Sequence, residues 1–365
     1  VIPAVPLPSP RHLLALRFLG HPDGNELAAP WLRPADLGGL WLSRTAWSLA
    51  VAAGAWAMAR RQVPVIALPE YICNQSLWPL RQGRAELVFY PVREGDLTPD
   101  WARMGDLTAD MLVLVHYFGW PNDAQGARLW CDARGAMLVE DAAHVLMPIP
   151  GIGEAGDLVL YSPHKLLAVP DGALLVARPG AVGLERWLGD ALRGLGWNHP
   201  HTTSWRIKRL LQASPVGAIL ARHRPGGPAD FLSDPATRPM AAEPMPSPAG
   251  AALIARSDLD RVAALRAGNA ATLLSGIEHG PWAPLFRIGN DIAPYRLAMR
   301  CISVEAAIAL YARLRKAGVP VESWPDLPPE AGETALHLRR SLLLLPCHQS
   351  LPVDETRGAI IRALA

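Results

Sequence analysis

Short, uninterrupted apolar runs punctuate the first half of the chain. PVIAL (64–68), AELVFYPV (85–92), MLVLVHYFG (111–119), GAMLVEDAA (135–143), GDLVLYS (156–162) and GALLVA (172–177) are bounded by Gly, Pro and Asp. Continuous apolar runs of this length read as strands covered on both faces. Between several of them lie Ala- and Leu-rich stretches of helical length, at 45–59 and 76–82. Strands joined in this way by helices predict an α/β domain around a mostly parallel sheet. In such sheets the ligand crevice lies beyond the carboxyl ends of the strands.

The second half is patterned differently. Residues 195–242, with LGWNHPHTTSW and RHRPGGPADFLSDPATRPMAA, are rich in Pro, Gly and His. They are predicted irregular, as a linker, an active-site flap or a dimer-facing segment. Residues 247–277 carry a long amphipathic helical pattern, and SDLD (257–260) reads as a capping box with Asp in place of Glu. YRLAMRCIS (295–303) predicts a strand and VEAAIALYARLRKAG (304–318) a helix ended by Gly. LRRSLLLLPCHQSLP (338–352) adds a strand and VDETRGAIIRALA (353–365) a closing helix. The expected organisation is a large domain over 1–242, including the irregular 195–242, and a smaller α+β domain over 243–365.

Composition removes several classes of function. A net charge of +2 leaves no electrostatic footprint for nucleic acid. The longest apolar run, AWSLAVAAGAWAMA (46–59), ends at Arg60 and Arg61 and is too short to span a bilayer. The opening VIPAVPLPSP has no basic stretch followed by an apolar one, so no secretory leader is expected. Cys73, Cys131, Cys301 and Cys347 are far apart and fit no ligand pattern. Free thiols in a reducing cytoplasm are expected. No metal is expected either, because the histidines form no ligand-spaced cluster and HPH (199–201) reads as loop.

Lysine usage adds a sharper signal. The chain has three lysines against 32 arginines, and one of the three is Lys165, in LYSPHKLLAVPDGALLVA (160–177). A GC-rich genome accounts for the general bias but leaves this position unexplained. Ionic pairing there predicts Arg, whereas Schiff-base chemistry requires Lys, because arginine does not deprotonate in proteins. Asp141 ends another strand-like run, and LSRTA (42–46) places Ser43, Arg44 and Thr45 before an apolar helix. The free N–H groups of a helix start and a hydroxyl form an anion site. An acid can pair with a protonated ring nitrogen, and a lysine can hold an aldehyde. Phosphate, pyridinium and aldehyde are the three handles of pyridoxal 5′-phosphate. Ser162 is a further phosphate contact in this reading. Each feature alone has an ordinary structural explanation: a solvated lysine, a strand end, a plain helix N-terminus.

LSRTAWSLAVAA, ALPEYICNQSLWPLRQGRAELVFYPV, VLVHYFGWPNDA, LVEDAAHVL and GDLVLYSPHKLLAVPDGALLVA together resemble the DegT/DnrJ/StrS-type aminotransferases. Their order and spacing match over roughly 40–180. AGVPVESWPDLP (317–328) and LLLLPCHQSLPVDE (342–355) are similar to that family's C-terminal pattern. The resemblance implies PLP-transferase fold type I, a mostly parallel large domain with a smaller α+β domain, and pyridoxal 5′-phosphate as cofactor. It implies Lys165 as the lysine that holds the aldehyde and acts as general acid and base, and Asp141 as the partner of the ring nitrogen. Arg44 and Thr45 fall on the phosphate-binding Gly-Thr pair, and Ser162 on the serine before the lysine. His144 falls where the family has Gln or His near the cofactor's O3′; a helix-face histidine is the plain alternative.

Three departures stand out. Cys73 occupies the place of the aromatic residue that stacks on the ring, with Tyr71 two residues away as a substitute. Arg44 replaces Gly. The family's Asn- and Arg-bearing loop, lent across a dimer interface, has no clean counterpart, and Met245 and Ser247 lie near its place. The implied activity is ping-pong transamination from an amino acid, glutamate in the first instance, to a keto-sugar nucleotide or similar ketone, for polysaccharide or antibiotic synthesis. A cytoplasmic homodimer with shared active sites is implied. The alternatives are a PLP-dependent sugar dehydratase, in which histidine replaces the lysine, and a non-catalytic or regulatory member of the fold.

Overall fold

The structure is a computed structural model. It describes residues 2–365 apart from 10–12, 14–22, 84, 197, 213–238, 241–242, 278–279, 288 and 290–291. The apolar runs of the first half become strands of one seven-stranded sheet: β1 (Gly38–Leu42), β2 (Val65–Pro69), β3 (Glu86–Tyr90), β4 (Met111–Val115), β5 (Met137–Ala142), β6 (Leu158–Tyr161) and β7 (Ala173–Ala177). Their order is β1-β7-β6-β5-β4-β2-β3. β2 through β6 pair in parallel, while β7 runs antiparallel to both β6 and β1. Every residue of β4 is buried, as a central strand covered on both faces requires. Each such Leu or Val contributes about 1.5–3 kcal/mol by leaving water.

β1 is the strand that the apolar runs did not predict. GGLWL holds two glycines, sits half-buried at the sheet edge, and is held by its register on β7, from Gly38↔Ala177 to Leu42↔Ala173. It leads directly into helix α1 (Thr45–Arg60), whose Ala-rich sequence has high helix propensity and which stops at Arg61 in the left-handed conformation. Helix α2 (Pro163–Leu166) is a single turn after β6, and helix α3 (Glu185–Leu195) packs on α1 so closely that a Cβ at Gly54 would lie 3.3 Å from that of Ala191.

The stretch 195–242 is less irregular than its composition suggested. It contains helix α4 (Thr203–Gln212), while 213–238 and 241–242 lie outside the described residues. The single helix expected over 247–277 is two, α5 (Pro248–Ile254) and α6 (Leu259–Leu274). The break follows from side-chain chemistry: the Ser257 hydroxyl donates to the carbonyl of Leu253, and Asp258 accepts the N–H of Arg261 as the cap of α6. The cap is therefore Asp258, one residue after the serine of the SDLD reading.

Helix α5 buries Ala252, Leu253 and Ile254 against the same cluster as Leu174 and Val176 of the large sheet. A second core forms around an antiparallel sheet of β8 (Trp282–Pro284), β9 (Leu297–Cys301) and β10 (Leu342–Leu345). It includes residues of α6, α7 (Val304–Lys316) and, after α8 (Glu333–Ser341), α9 (Val353–Leu364). Among the described residues no helix is long and apolar enough to cross a membrane, and the four cysteines are free thiols.

One buried carboxylate fixes the middle of the large sheet. Glu140 on β5 is fully buried and accepts the N–H groups of Gly153, Ala155 and Gly156 at 2.6, 2.9 and 2.6 Å. His116 Nε2 approaches it at 2.7 Å, and His116 Nδ1 accepts the N–H of Asn122, so the ring proton lies on Nε2 and is donated to Glu140. Burial would raise the Glu140 carboxyl, but the hydrogen bond from His116, with the Gly153 and Gly156 N–H groups, outweighs it and holds the pKa below the ordinary value of 4.5. A depressed folded pKa means stabilisation that is complete above the unfolded value and is lost as pH falls through the folded one. Glu140→Ala should therefore cost on the order of 3–5 kcal/mol at pH 7. Urea unfolding should show that cost shrinking as the pH is taken below 4.5.

Candidate active site

Four parallel strands end on one side of the sheet, and the loops leaving them line a cavity of about 650 Å³. Cys73 follows β2, Val115 ends β4, Asp141 and His144 come from the end of β5, and Lys165 follows β6. Thr45, the first residue of α1, joins them. This is the crevice expected beyond the carboxyl ends of parallel strands. Of the seven residues expected around the cofactor, namely Arg44, Thr45, Cys73, Asp141, His144, Ser162 and Lys165, five line one cavity: Thr45, Cys73, Asp141, His144 and Lys165.

Arg44 and Ser162 stand just behind it. The Arg44 guanidinium is turned back to donate to the carbonyls of Ser43 at 2.8 Å and Pro170 at 3.0 Å, so it braces the corner instead of pointing at a ligand. Burial lowers its pKa against the opposing charge of Asp171. Ser162 is fully buried with its hydroxyl 2.8 Å from His164 Nδ1. The Pro-Asp-Gly turn is tied to the same corner: the Gly172 N–H donates to the carbonyl of Ser43, and the Ser247 N–H donates to Asp171. Gly172 has φ +132°, a backbone conformation that favours glycine, and a Cβ there would also push on the tip of Ile254. Met245 is buried beside this corner, where Ser43 donates its N–H to Pro244 and its hydroxyl to Glu243.

The start of α1 leaves donors available. Trp47 and Ser48 return their N–H groups to the carbonyl of Arg44, while Thr45 and Ala46, in the first turn, have no carbonyl one turn earlier. Their N–H groups, the Thr45 hydroxyl and the positive end of a four-turn helix make an anion site at one end of the cavity.

Asp141 is half-buried and accepts the N–H of Ala143 at 2.9 Å. Burial pushes its carboxyl above the usual range, against the lowering effect of the Lys165 charge and that hydrogen bond. His144 lies in a turn after β5 and not on a helix face. Its Nδ1 accepts the N–H of Phe118 at 3.1 Å and its Nε2 lies 3.2 Å from Lys165 Nζ. The ring stacks on Tyr295, with centroids 4.5 Å apart and planes within 7°. Burial, then the charges of Lys165 and Arg296, push its pKa well down, so the imidazole is neutral. His164 is likewise held neutral by burial and by Arg44 and Lys165. Phe118 sits at φ 57°, a conformation rare for a bulky residue, and it is this turn that aims its N–H at His144.

The opposite wall comes from residues between 311 and 339 and was not singled out in the sequence. Tyr311 and Arg315, one turn apart on α7, face the cavity with Trp324, Asp326 and Arg339. Their one trace in the sequence was the SWPDLP stretch. Tyr71 is fully buried with its ring stacked on Trp324 at 4.5 Å. Of the pair at the ring-stacking place, it is Cys73 that lines the cavity.

No protein-family model and no curated protein sequence matches the chain. Solved structures do. An aminotransferase, TlmJ, from Streptoalloteichus hindustanus superposes with a TM-score of 0.70 at 18% identity, covering 100% of this chain and 99% of its own. A DegT DnrJ EryC1 StrS aminotransferase from Brucella abortus gives 0.62 at 13%, covering 97% and 96%. An E. coli GDP-4-keto-6-deoxy-D-mannose-3-dehydratase with bound hydrated PLP gives 0.70 at 14%, covering 100% of both chains. The chain has the PLP-transferase fold type I. The resemblance to the DegT/DnrJ/StrS type therefore extends from motifs to the whole architecture.

In a PLP-transferase fold the elevated Asp141 has a measurable cost. A carboxylate whose folded pKa lies above its unfolded value destabilises the fold progressively as pH rises through that window, and fully above it. Asp141→Asn keeps the shape and the Ala143 hydrogen bond while removing the charge. It should raise the Tm of cofactor-free protein at pH 7–8 by on the order of a degree or two, and lose that advantage near pH 3. Calorimetry across pH checks both arms.

Proposed function

We propose that the protein is a PLP-dependent aminotransferase that takes an amino group from an amino acid, glutamate in the first instance, and passes it to a keto-sugar nucleotide or similar ketone. The observation that carries this reading is the convergence of Lys165, Asp141 and the start of α1 in one cavity, at the carboxyl ends of parallel strands. The donor set fits the cofactor's three handles. The first-turn N–H groups of α1 with the Thr45 hydroxyl would hold the phosphate, with Arg44 and Ser162 bracing the corner behind. Asp141 lacks a cation of its own beyond Lys165 and would keep a pyridine nitrogen protonated. Ala143 and Cys73 line the same space and would face the ring.

Bound there, pyridoxal phosphate supplies an aldehyde that takes up the amino group and a ring that draws off electron density from Cα. The chain's own residues do the rest. Lys165 Nζ takes the proton from the substrate Cα and returns it on the other side of the transfer, a role typically worth ~10²–10⁴-fold in rate. The imidazole of His144, with Nδ1 committed to Phe118, turns Nε2 toward that amine. Its neutrality keeps a second cation away from Lys165. Residues 1–242 would bind the cofactor, and 243–365 would close the cavity with Tyr311, Arg315 and Trp324. The working form is taken as a cytoplasmic homodimer in which a second copy supplies the donor loop this chain does not cleanly show. The net charge of +2 favours small substrates over nucleic acid.

The test is the visible absorbance of the purified protein with added pyridoxal phosphate, before and after glutamate. Wild type should show the band of lysine-bound cofactor and lose it on addition of glutamate. Lys165→Ala should show no such band, and its turnover should fall by at least ~10². A wild-type band that no amino donor changes supports the non-catalytic reading, and no band at all removes the cofactor assignment.

A further inference from the structure

Arg266 on α6 is fully buried, and no carboxylate pairs with it among the described ion pairs. Its guanidinium instead spends its donors on four oxygens. Nε donates to the carbonyl of Pro294 at 3.0 Å, and Nη2 to that of Tyr295 at 2.8 Å. Nη1 donates to Gln349 Oε1 at 3.0 Å and to the carbonyl of Leu166 at 3.3 Å. Gln349 adds its own Nε2 to the same Leu166 carbonyl at 3.1 Å. Burial lowers the guanidinium to about 10, which still leaves it cationic at neutral pH. A buried cation without a counter-charge is costly, and only the planar fork of arginine satisfies this many acceptors at fixed angles.

Both ends of this contact lead to the same amine. Leu166 is the residue after Lys165, on the single turn α2 that carries it. Tyr295 is the ring on which His144 stacks, and His144 Nε2 lies 3.2 Å from Lys165 Nζ. One guanidinium therefore restrains the backbone beneath the lysine and, through Tyr295 and His144, the partner facing its nitrogen. The restraint also crosses the molecule, because Arg266 and Gln349 belong to the second unit while Lys165 belongs to the first.

We propose that Arg266, backed by Gln349, is the positioning residue for Lys165, a clamp from the small domain that sets where the amine stands in the cavity. The proposal rests on the reading of Lys165 as the cofactor lysine, but its test does not depend on that reading alone. Lysine scarcity makes the test clean. The other two lysines, Lys208 and Lys316, are exposed and serve as references within the same molecule.

Cofactor-free wild type, Arg266→Lys and Gln349→Leu would be treated with formaldehyde and cyanoborohydride, and methylation at each lysine followed by mass spectrometry. Far-UV circular dichroism and Tm would report folding. The clamp predicts that the Lys165 rate relative to Lys208 and Lys316 shifts severalfold in both variants while the two reference rates hold. It also predicts that the apparent Kd for pyridoxal phosphate rises by about tenfold in Arg266→Lys. Wild-type Lys165 ratios in the folded variants would overturn it. If Arg266→Lys does not fold, Gln349→Leu alone decides, since it removes a donor to Leu166 and the acceptor of Arg266 Nη1. If wild type shows no lysine-bound cofactor band, the functional reading falls, and the methylation ratio still judges the clamp.

Discussion

The register of β5 decides whether this chain has a site at all. Glu140 and Asp141 are adjacent on that strand and face opposite ways, as the two-residue period of a strand dictates. Glu140 enters a closed nest of donors from His116, Gly153, Ala155 and Gly156, and Asp141 opens into the cavity. A slip of one residue would put Asp141 in the place of Glu140, Glu140 in that of Val139 and Ala142 in that of Asp141, so the crevice would lose its carboxylate at that position. The apolar neighbours cannot forbid such a slip on their own, because both faces of the strand are covered. The nest can, since it is shaped to Glu140, which accepts from all four donors, and an Asp side chain is one methylene shorter. The placement of the carboxylate that lines the cavity thus depends on its buried neighbour.

The same logic runs through the second half of the site. Lys165 follows β6, whose register on β5 pairs Asp141 with Leu160 and Ala142 with Tyr161, so the lysine turn begins just beyond the strand end. The antiparallel β7 then returns past it, and the Pro-Asp-Gly turn between them is pinned to Ser43 at the start of α1. The corner before α1 and the lysine turn are therefore two ends of one hydrogen-bonded loop. Arg266 reaches into that arrangement from α6, and residues between 295 and 344 line the cavity together with residues between 45 and 165.

What could be read in the sequence follows from these constraints. The central strands were legible because a strand buried on both faces must be apolar throughout, and MLVLV or LVLY leaves little choice. Edge strand β1 was not, since GGLWL has two glycines and a half-exposed pattern, and pairing with β7 alone makes it a strand. Lys165 stood out because arginine replaces lysine almost everywhere else. Arg44 was legible as a position but not as a direction: its neighbour Thr45 faces the cavity while its own side chain turns onto Pro170. Tyr311, Arg315 and Arg339 were illegible, because basic and aromatic residues on amphipathic helices look the same whether they face solvent or a cavity. Only tertiary packing brings them to the same cavity as Asp141 and Lys165, which are distant in the chain.

The two carboxylates of β5 also carry the electrostatic argument. Burial raises both, yet Glu140 ends below its ordinary value and Asp141 above it. The difference lies in what surrounds each: three backbone N–H groups and a histidine for Glu140, one backbone N–H and the more distant charge of Lys165 for Asp141. A satisfied carboxylate serves structure, and an under-satisfied one in a cavity awaits a partner. The neighbours of Asp141 do not provide it. His144 and His164 are held neutral by burial, so neither adds a positive charge beside Lys165. A protonated ring nitrogen is the partner whose charge would lower Asp141, and the carboxylate would in turn hold that proton in place. On the proposed function, that reciprocity offsets the cost of the Asp141 carboxylate to the cofactor-free protein.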